Sequence, residues 1–322
     1  MGGRRRADPR STALGRGRPR ARASTASRGT LRRPSQRGAA ARLRARGGRG
    51  AALVCRGPVA ALAAALGPGG HAVSAPIVQL RNLTKVFGSN IAVDHLDLDV
   101  EAGEVFAFLG PNGAGKTTTI RMMTGLIRPT GGEVFIGGFD IQGRAIEAKS
   151  LMGYIPDHPY LYEKLSARDF IHFVGDLRQI PRPLQEERMM DHFDLFGLSH
   201  AADHLIENFS HGMRQKLVFT AALLHRPRLL LFDEPMVGLD PKSARIIKQI
   251  MRRHAGRGGS VFLSTHQLAV AEEVADRIGI IAKGQLIFLG RLDELRQRGR
   301  AAGTLEDLFL ELTGEPPGEI AV

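Results

Sequence analysis

One eight-residue run constrains this chain more than any other feature. Gly110-Pro111-Asn112-Gly113-Ala114-Gly115-Lys116-Thr117 fits the pattern G-x-x-x-x-G-K-[ST]. It follows a short apolar run at 104–109 and opens a stretch of helical character at 116–127. Strand, glycine loop and helix form the order in which such a loop can hold phosphate. Its glycines let the backbone close around an anion with the N–H groups pointing inward. The helix N-terminus adds a favourable dipole. Lys116 is placed to reach the β- and γ-phosphates, and the Thr117 hydroxyl to ligate Mg²⁺. Pro111, Asn112, Ala114 and Thr118 complete the expected phosphate-contacting set.

A second element answers the first. Leu229-Leu230-Leu231-Phe232 is an apolar run that ends on Asp233-Glu234. A strand buried on both faces of a parallel sheet delivers Asp233 beside the phosphates, where it can hold the Mg²⁺ shell. Adjacent strand residues face opposite ways, so Glu234 takes a different task. At the strand end it can turn toward a water and act as general base or water-orienter.

The remaining chain alternates short apolar runs with helical stretches. Strands are expected at 77–83, 96–100, 104–109, 133–136, 152–155, 229–233, 260–264, 278–281 and 286–289. Helices are expected at 116–127, 167–179, 183–196, 213–225, 242–254 and 268–275. This alternation predicts an α/β fold with a mostly parallel sheet. A last unit places Leu305, Leu308, Phe309 and Leu312 at helical spacing, with Thr304 and Asp307 as a capping box and Gly314 as the stop. The favoured reading is a helix packed on its own domain; the other is a dock for a partner.

These elements together resemble the nucleotide-binding domain of the ABC transporter family. The segment Phe209-Ser210-His211-Gly212-Met213-Arg214-Gln215-Lys216 carries the resemblance furthest. It ends 17 residues before Asp233, opens a helix and is similar to the family signature Leu-Ser-Gly-Gly-Gln. The likeness runs from about Ile77 to Gly314. It implies a P-loop NTPase fold of the ABC type: a RecA-like core, an antiparallel β subdomain and an inserted α-helical subdomain. It implies an ATPase that takes ATP and Mg²⁺ and works as a pair, homodimeric or with a paralogue. Ser210 and Gly212 would then face the γ-phosphate held by the other copy. A hydroxyl and free backbone amides at a helix start suit that task. By the same resemblance His266, in Leu263-Ser264-Thr265-His266, contacts the γ-phosphate and helps hold the attacking water. Residues 237–240 would run along the dimer interface, and Phe87 would stack on adenine. Stacking needs only a π-face; core packing is the other reading of Phe87. The implied catalytic residues are Glu234, His266 and Lys116, and the implied metal ligands Thr117, Asp233 and Asp157.

Three positions depart from the family pattern. Asp157 stands where the family usually has Gln, a shorter and charged group that can still ligate Mg²⁺ or orient water. His211 replaces the first signature Gly, and Met213 replaces the signature Gln. Such variants, with residues 160–165 and 305–309, resemble the exporter-like branch that handles drugs, antibiotics and polysaccharides. The implied partners are a separate integral-membrane permease subunit, coupled through residues 157–177, and a second ATP-binding subunit. The implied place is the cytoplasmic face of the cell membrane. The alternative is a soluble switch of the same class, acting on ribosomes or nucleic acid. Such relatives usually carry two cassettes or a long coiled coil. Only 93 residues separate Lys116 from Ser210 here, with no sustained heptads.

Charge divides the chain into segments. The formal charge of +13 would suggest a nucleic-acid or membrane-surface binder. Residues 1–75 hold 17 arginines, no lysine and one acid, Asp8, for a net of +16. The other 28 basic and 31 acidic residues leave residues 76–322 at −3. No nucleic acid is therefore expected for the folded part. With no Ile, Phe, Tyr or Trp in 1–75, that segment lacks the apolar surface to offset its chain entropy. Three readings of it stay open: a basic arm for lipid or RNA, a transit peptide, and a segment never made, with a start near Val73 or Val78. The domains expected are the tail 1–75, an ATP-binding domain 76–297, and a C-terminal helix and tail 298–322. The single cysteine, Cys55, excludes a disulfide framework and a thiolate site in 76–322. The most apolar tail stretch, 59–66, is too short to span a bilayer. A membrane role would therefore need another subunit to cross it.

Overall fold

The computed structural model describes residues 75–236, 238–298 and 305–314, all within one unit of the chain, Gly69–Val322. Cys55, the stretch 59–66, Val237, Thr304 and the side chain of Asp307 lie outside the described residues.

A hairpin comes first. β1 (Val78–Phe87) and β2 (Asn90–Val100) pair antiparallel around a Gly88-Ser89 turn, with Gly88 at φ 59°. β3 (Val105–Leu109) runs into the glycine loop and α1 (Lys116–Met123). β4 (Gly131–Ile136) and β5 (Phe139–Asp140) return to the hairpin and complete a four-stranded sheet in the order β2-β1-β4-β5. After α2 (Ala145–Ser150) and β6 (Met152–Ile155), the chain forms α3 (Ala167–Leu177), α4 (Arg182–Phe196) and α5 (His211–Leu223). It then alternates through β7 (Leu229–Asp233), α6 (Pro241–Ala255), β8 (Ser260–Thr265), α7 (Leu268–Val274) and β9 (Arg277–Ala282). It closes with β10 (Gln285–Gly290), α8 (Leu292–Arg298) and α9 (Leu305–Thr313).

The second sheet has the order β10-β9-β3-β8-β7-β6, parallel except for β10 against β9. β3, β7 and β8 are buried on both faces, which explains their near-continuous apolar sequences. Phe106, Phe108, Leu229, Leu231 and Phe262 point toward the four-stranded sheet and α1. Leu230, Phe232, Val261 and Leu263 point toward the helical region, where Phe170, Phe193 and Phe219 fill the layer. Removing a ring such as that of Phe232, which is fully buried, costs about 3–5 kcal/mol. The architecture is the α/β arrangement the sequence implied, with an antiparallel sheet and an inserted helical layer.

The sequence misjudged strand ends where the alternation breaks. β1 continues past Leu83 to Phe87, and β2 starts at Asn90 rather than Leu96. Register shifts interrupt this pair, and Asn82 and His95 adopt φ 48° there, so apolar residues do not recur at period two. α1 stops at Met123 rather than Ile127. α2 went unread because it buries only Ala148 and leaves Ile146 exposed. α8 went unread because, among its described side chains, it buries only Leu295. Its signal was present: the Glu294 carboxylate accepts from the Arg291 backbone N–H at 3.1 Å, as in a capping box. α9 sets Leu308 and Phe309 into a cluster with Ile278, Ile280 and Phe288, so the C-terminal helix packs on its own unit.

Candidate functional site

β8 lies between β3 and β7, and the three strands end flush. Leu109 pairs in register with Thr265, and Asp233 with Ser264. Each is followed at once by a candidate residue: the glycine loop after β3, Glu234 after β7, His266 after β8. Ligands of parallel sheets bind at this carboxyl edge.

The loop after β3 is fixed by two close approaches. A Cβ on Gly110 would lie 2.3 Å from the Ile281 carbonyl oxygen. Gly115 has φ 111°, and a Cβ there would lie 2.5 Å from the Ala92 carbonyl oxygen of β2. Ala92 is two residues past Asn90, the register partner of Phe87. The hairpin tip is thereby tied to the loop. Phe87 is half exposed, with Lys85 Nζ 4.8 Å from its ring centroid, so core packing does not describe it.

Lys116, only 6% exposed, donates from Nζ to the carbonyls of Gly110 at 2.6 Å and Pro111 at 3.1 Å. Its Nζ lies 3.5 Å from Glu234 Oε1. Thr117 Oγ1 donates to Asp233 Oδ1 at 3.2 Å, and Ser264 Oγ donates to the same oxygen at 3.0 Å. Asp233 is 1% exposed, and burial raises its pKa above the ordinary carboxylate range despite these two bonds. Asp157 and Glu234 add repulsion in the same direction. Ser264, whose hydroxyl meets Asp233, is not among the candidate residues that the sequence pointed to. Its signal was its place in β8, across from Asp233.

Glu234 adopts φ 48°, in the left-handed region that non-glycine residues seldom occupy. Such a backbone costs on the order of 1–3 kcal/mol and persists where surrounding bonds enforce it. Here the Glu234 N–H donates to the Ser264 carbonyl at 3.1 Å. The turn sends the carboxylate between two groups: Oε1 toward Lys116 and Oε2 to His266 Nδ1 at 3.0 Å. The side chains of Asp233 and Glu234 thus part as expected, but through this turn rather than strand alternation, since β7 ends at Asp233.

Asp157, after β6, lines a cavity of about 600 Å³ together with Thr117, Tyr154 and Asp233. Burial, then the charge of Asp233, pushes the Tyr154 phenol up to about 12. Asp157 is bonded to its neighbour His158 at 2.8 Å. Ser210 and Gly212 belong instead to the start of α5. Ser210 is exposed and caps that helix, its Oγ accepting from the Met213 N–H at 3.3 Å. The His211 ring lies against Gly238, whose φ of 75° and crowding leave no room for a side chain. Asp240 caps α6 through the Ser243 N–H at 2.9 Å.

The donor set fits a hard cation shared with phosphates. The Thr117 hydroxyl and the Asp233 and Asp157 carboxylates offer only oxygen, the ligand that Mg²⁺ prefers. Among the described residues no three His, Cys, Asp or Glu side chains converge on one metal position. An ion of this kind is ordinarily held by one or two carboxylates together with substrate phosphates. Glu234 Oε1 is also buried without a hydrogen-bond partner, a polar group left for a ligand to satisfy.

A family model described as ABC transporter matches residues 93–237. A bacitracin transport ATP-binding protein of Bacillus licheniformis is 37% identical over 70% of this chain and 72% of its own length. A linearmycin resistance ATP-binding protein of Bacillus subtilis is 35% identical over 69% and 71%. A daunorubicin/doxorubicin resistance ATP-binding protein of Streptomyces peucetius is 37% identical over 68% and 66%. Among solved structures, an ATP-binding subunit of an ABC transporter is 31% identical and covers 74% of this chain and 99% of its own, with a TM-score of 0.70.

Proposed function

The chain belongs to the ABC transporter family, and we propose that it drives export of antibiotic or drug-like molecules together with a second ATP-binding copy and a separate membrane subunit. It is an ATP-binding and ATP-hydrolysing transporter subunit; the branch, the partners and the residue roles are our reading. The names of three relatives, for bacitracin transport and for linearmycin and daunorubicin/doxorubicin resistance, favour export. Among the described residues no helix is long and apolar enough to cross a membrane, so a companion would do so. The chain would then sit on the cytoplasmic face of that membrane.

One observation carries the residue roles: the left-handed turn that sets the Glu234 carboxylate between Lys116 and His266, beside Asp233. In this reading the loop amides and Lys116 take the phosphates, the ammonium exchanging the Gly110 and Pro111 carbonyls for phosphate oxygens. Thr117, Asp233 and Asp157 would hold Mg²⁺, whose charge would offset that of the phosphates. Glu234 orients a water and accepts its proton. His266 fixes the Glu234 carboxylate and meets the γ-phosphate. Phe87 offers its exposed face to adenine. The exposed Ser210 hydroxyl and the amides near Gly212 meet the nucleotide of the other copy. ATP then favours the closed pair, and hydrolysis releases it. The apolar side chains of Tyr160, Tyr162 and Leu177, all exposed, mark where that motion would reach the membrane subunit. Glu234→Gln should keep ATP binding, lower turnover by about 10²–10⁴-fold and accumulate a dimer. Assays of turnover, nucleotide binding and oligomeric state check this. Undiminished hydrolysis would overturn the assignment.

A further inference from the structure

The carboxyl edge of the sheet is occupied by the site above. The amino edge holds a second concavity, of about 870 Å³, where α4, the end of α5 and the end of α6 meet the entries to β7 and β8. Its rim carries Arg226, Arg228, Arg253 and Arg257, all exposed. His192 and His254 stand among them, and Asp191 is the single acid.

Basic side chains at helix C-termini ordinarily answer the helix dipole. That accounts for one or two charges, and the neighbouring Arg252 is further neutralised by Asp276 at 2.8 Å. It does not account for four guanidiniums, none of which makes an ion pair among the described residues. These charges sit in a stretch, 76–322, whose net charge is −3. The like charges are felt: Arg226 lowers the affinity of both Arg188 and His192 for a proton. Burial is the leading cause in each case. Arg226 also adopts φ 53°, a conformation that costs energy for a side chain of its kind.

Apolar side chains share the lining: Pro227 is buried, Leu223 and Ile250 are half-buried, and Leu195 is exposed. Two buried ring nitrogens, His192 Nδ1 and His254 Nε2, have no hydrogen-bond partner. His254 is held by Gly259, where a Cβ would lie 2.3 Å from that same Nε2. Guanidiniums present planar forks that match phosphate oxygens. The volume lies in the range of small-molecule sites. The geometry points to a binding site for a phosphate monoester with an apolar body, its phosphate on the arginines and its body against Leu223, Pro227 and Ile250. The site faces away from the nucleotide edge, so nucleotide binding and this ligand do not compete. The phosphate can come from a soluble ester or from a lipid headgroup.

The test uses the full chain and two probes. One is 1-naphthyl phosphate, with 1-naphthol as its uncharged control; the other is phosphatidylcholine vesicles carrying about 30% phosphatidic acid, a lipid phosphate monoester. Binding is measured for wild type, Arg226→Ser/Arg253→Ser, Arg226→Lys/Arg253→Lys and Lys116→Ala. The double serine variant should bind at least one probe about ten-fold or more weakly than wild type. Lys116→Ala should bind it as wild type does, and the lysine pair should fall between, since it keeps charge without the fork. Loss on naphthyl phosphate assigns a soluble ester; loss on vesicles alone assigns a headgroup. Basal ATP hydrolysis should be unchanged in the serine pair, which reports that it folds. Equal binding of naphthol and its phosphate, loss in Lys116→Ala alone, or no binding of either probe by wild type would overturn the proposal.

Discussion

The carboxyl edge of the sheet and the start of α5, the two proposed halves of the nucleotide site, are built in opposite ways. At the carboxyl edge of the sheet, Lys116 and Asp233 are buried, and Thr117, Ser264, Glu234 and His266 engage one another directly. At the start of α5, Ser210 and His211 face solvent and one hydroxyl caps one amide. The first has lysine, carboxylates and a glycine cradle in a single chain. The second has only a helix end, which by itself holds an anion weakly. An exposed half-site of that kind becomes strong when a second surface excludes water from it. The contrast therefore argues for a reaction centre shared between two copies.

At the exposed half, the largest effect should come from added charge. Asp caps a helix as well as Ser does, so Ser210→Asp should change stability by less than about 0.5 kcal/mol. Its carboxylate would repel the partner's γ-phosphate and lower hydrolysis on the order of 100-fold, with nucleotide affinity of the single copy unchanged. Thermal melts and steady-state hydrolysis separate the two roles. Equal hydrolysis by this variant and wild type would remove the α5 start from the site.

An intermediate effect is expected at Asp157, which lines the cavity of Thr117 and Asp233 but is bonded only to His158. Asp157→Asn should lower stimulation of hydrolysis by the membrane subunit on the order of ten-fold while moving ATP affinity about two-fold at most. A large loss of ATP affinity would place Asp157 in the buried half instead.

The smallest effect concerns stability. Burial raises the folded pKa of Asp233 above its unfolded value, so its ionised form at neutral pH costs folding energy. That cost is absent below the unfolded pKa and is complete above the folded one. Without nucleotide, Asp233→Asn should raise Tm by about 2–4 °C at pH 7, and the gain should vanish as pH falls through the carboxylate range. A Tm gain that is the same at pH 4 and pH 7 would contradict this.

Much of the buried half was legible because its information is local. Gly110–Thr117 and Leu229–Asp233 state their strand, turn and helix within a few residues, and apolar continuity marks strands covered on both faces. Two things were not local. The left-handed turn at Glu234 depends on the Ser264 carbonyl in another strand, and Ser264 itself reaches Asp233 only through strand pairing. The hairpin that carries Phe87 was cut short because bulges at Asn82 and His95 erase its alternation. The exposed half was legible as a resemblance and as a cap, but which surface it faces is a property of two chains.

That property can be measured by mixing chains. Lys116→Ala lacks the phosphate lysine and Ser210→Asp lacks the half-site it would offer, so each alone should be inactive. An equal mixture allows one intact composite site in half of the dimers. It should recover about a quarter of wild-type hydrolysis, the share expected for random pairing of independent sites. A mixture as inactive as its parts would contradict a centre divided between two copies.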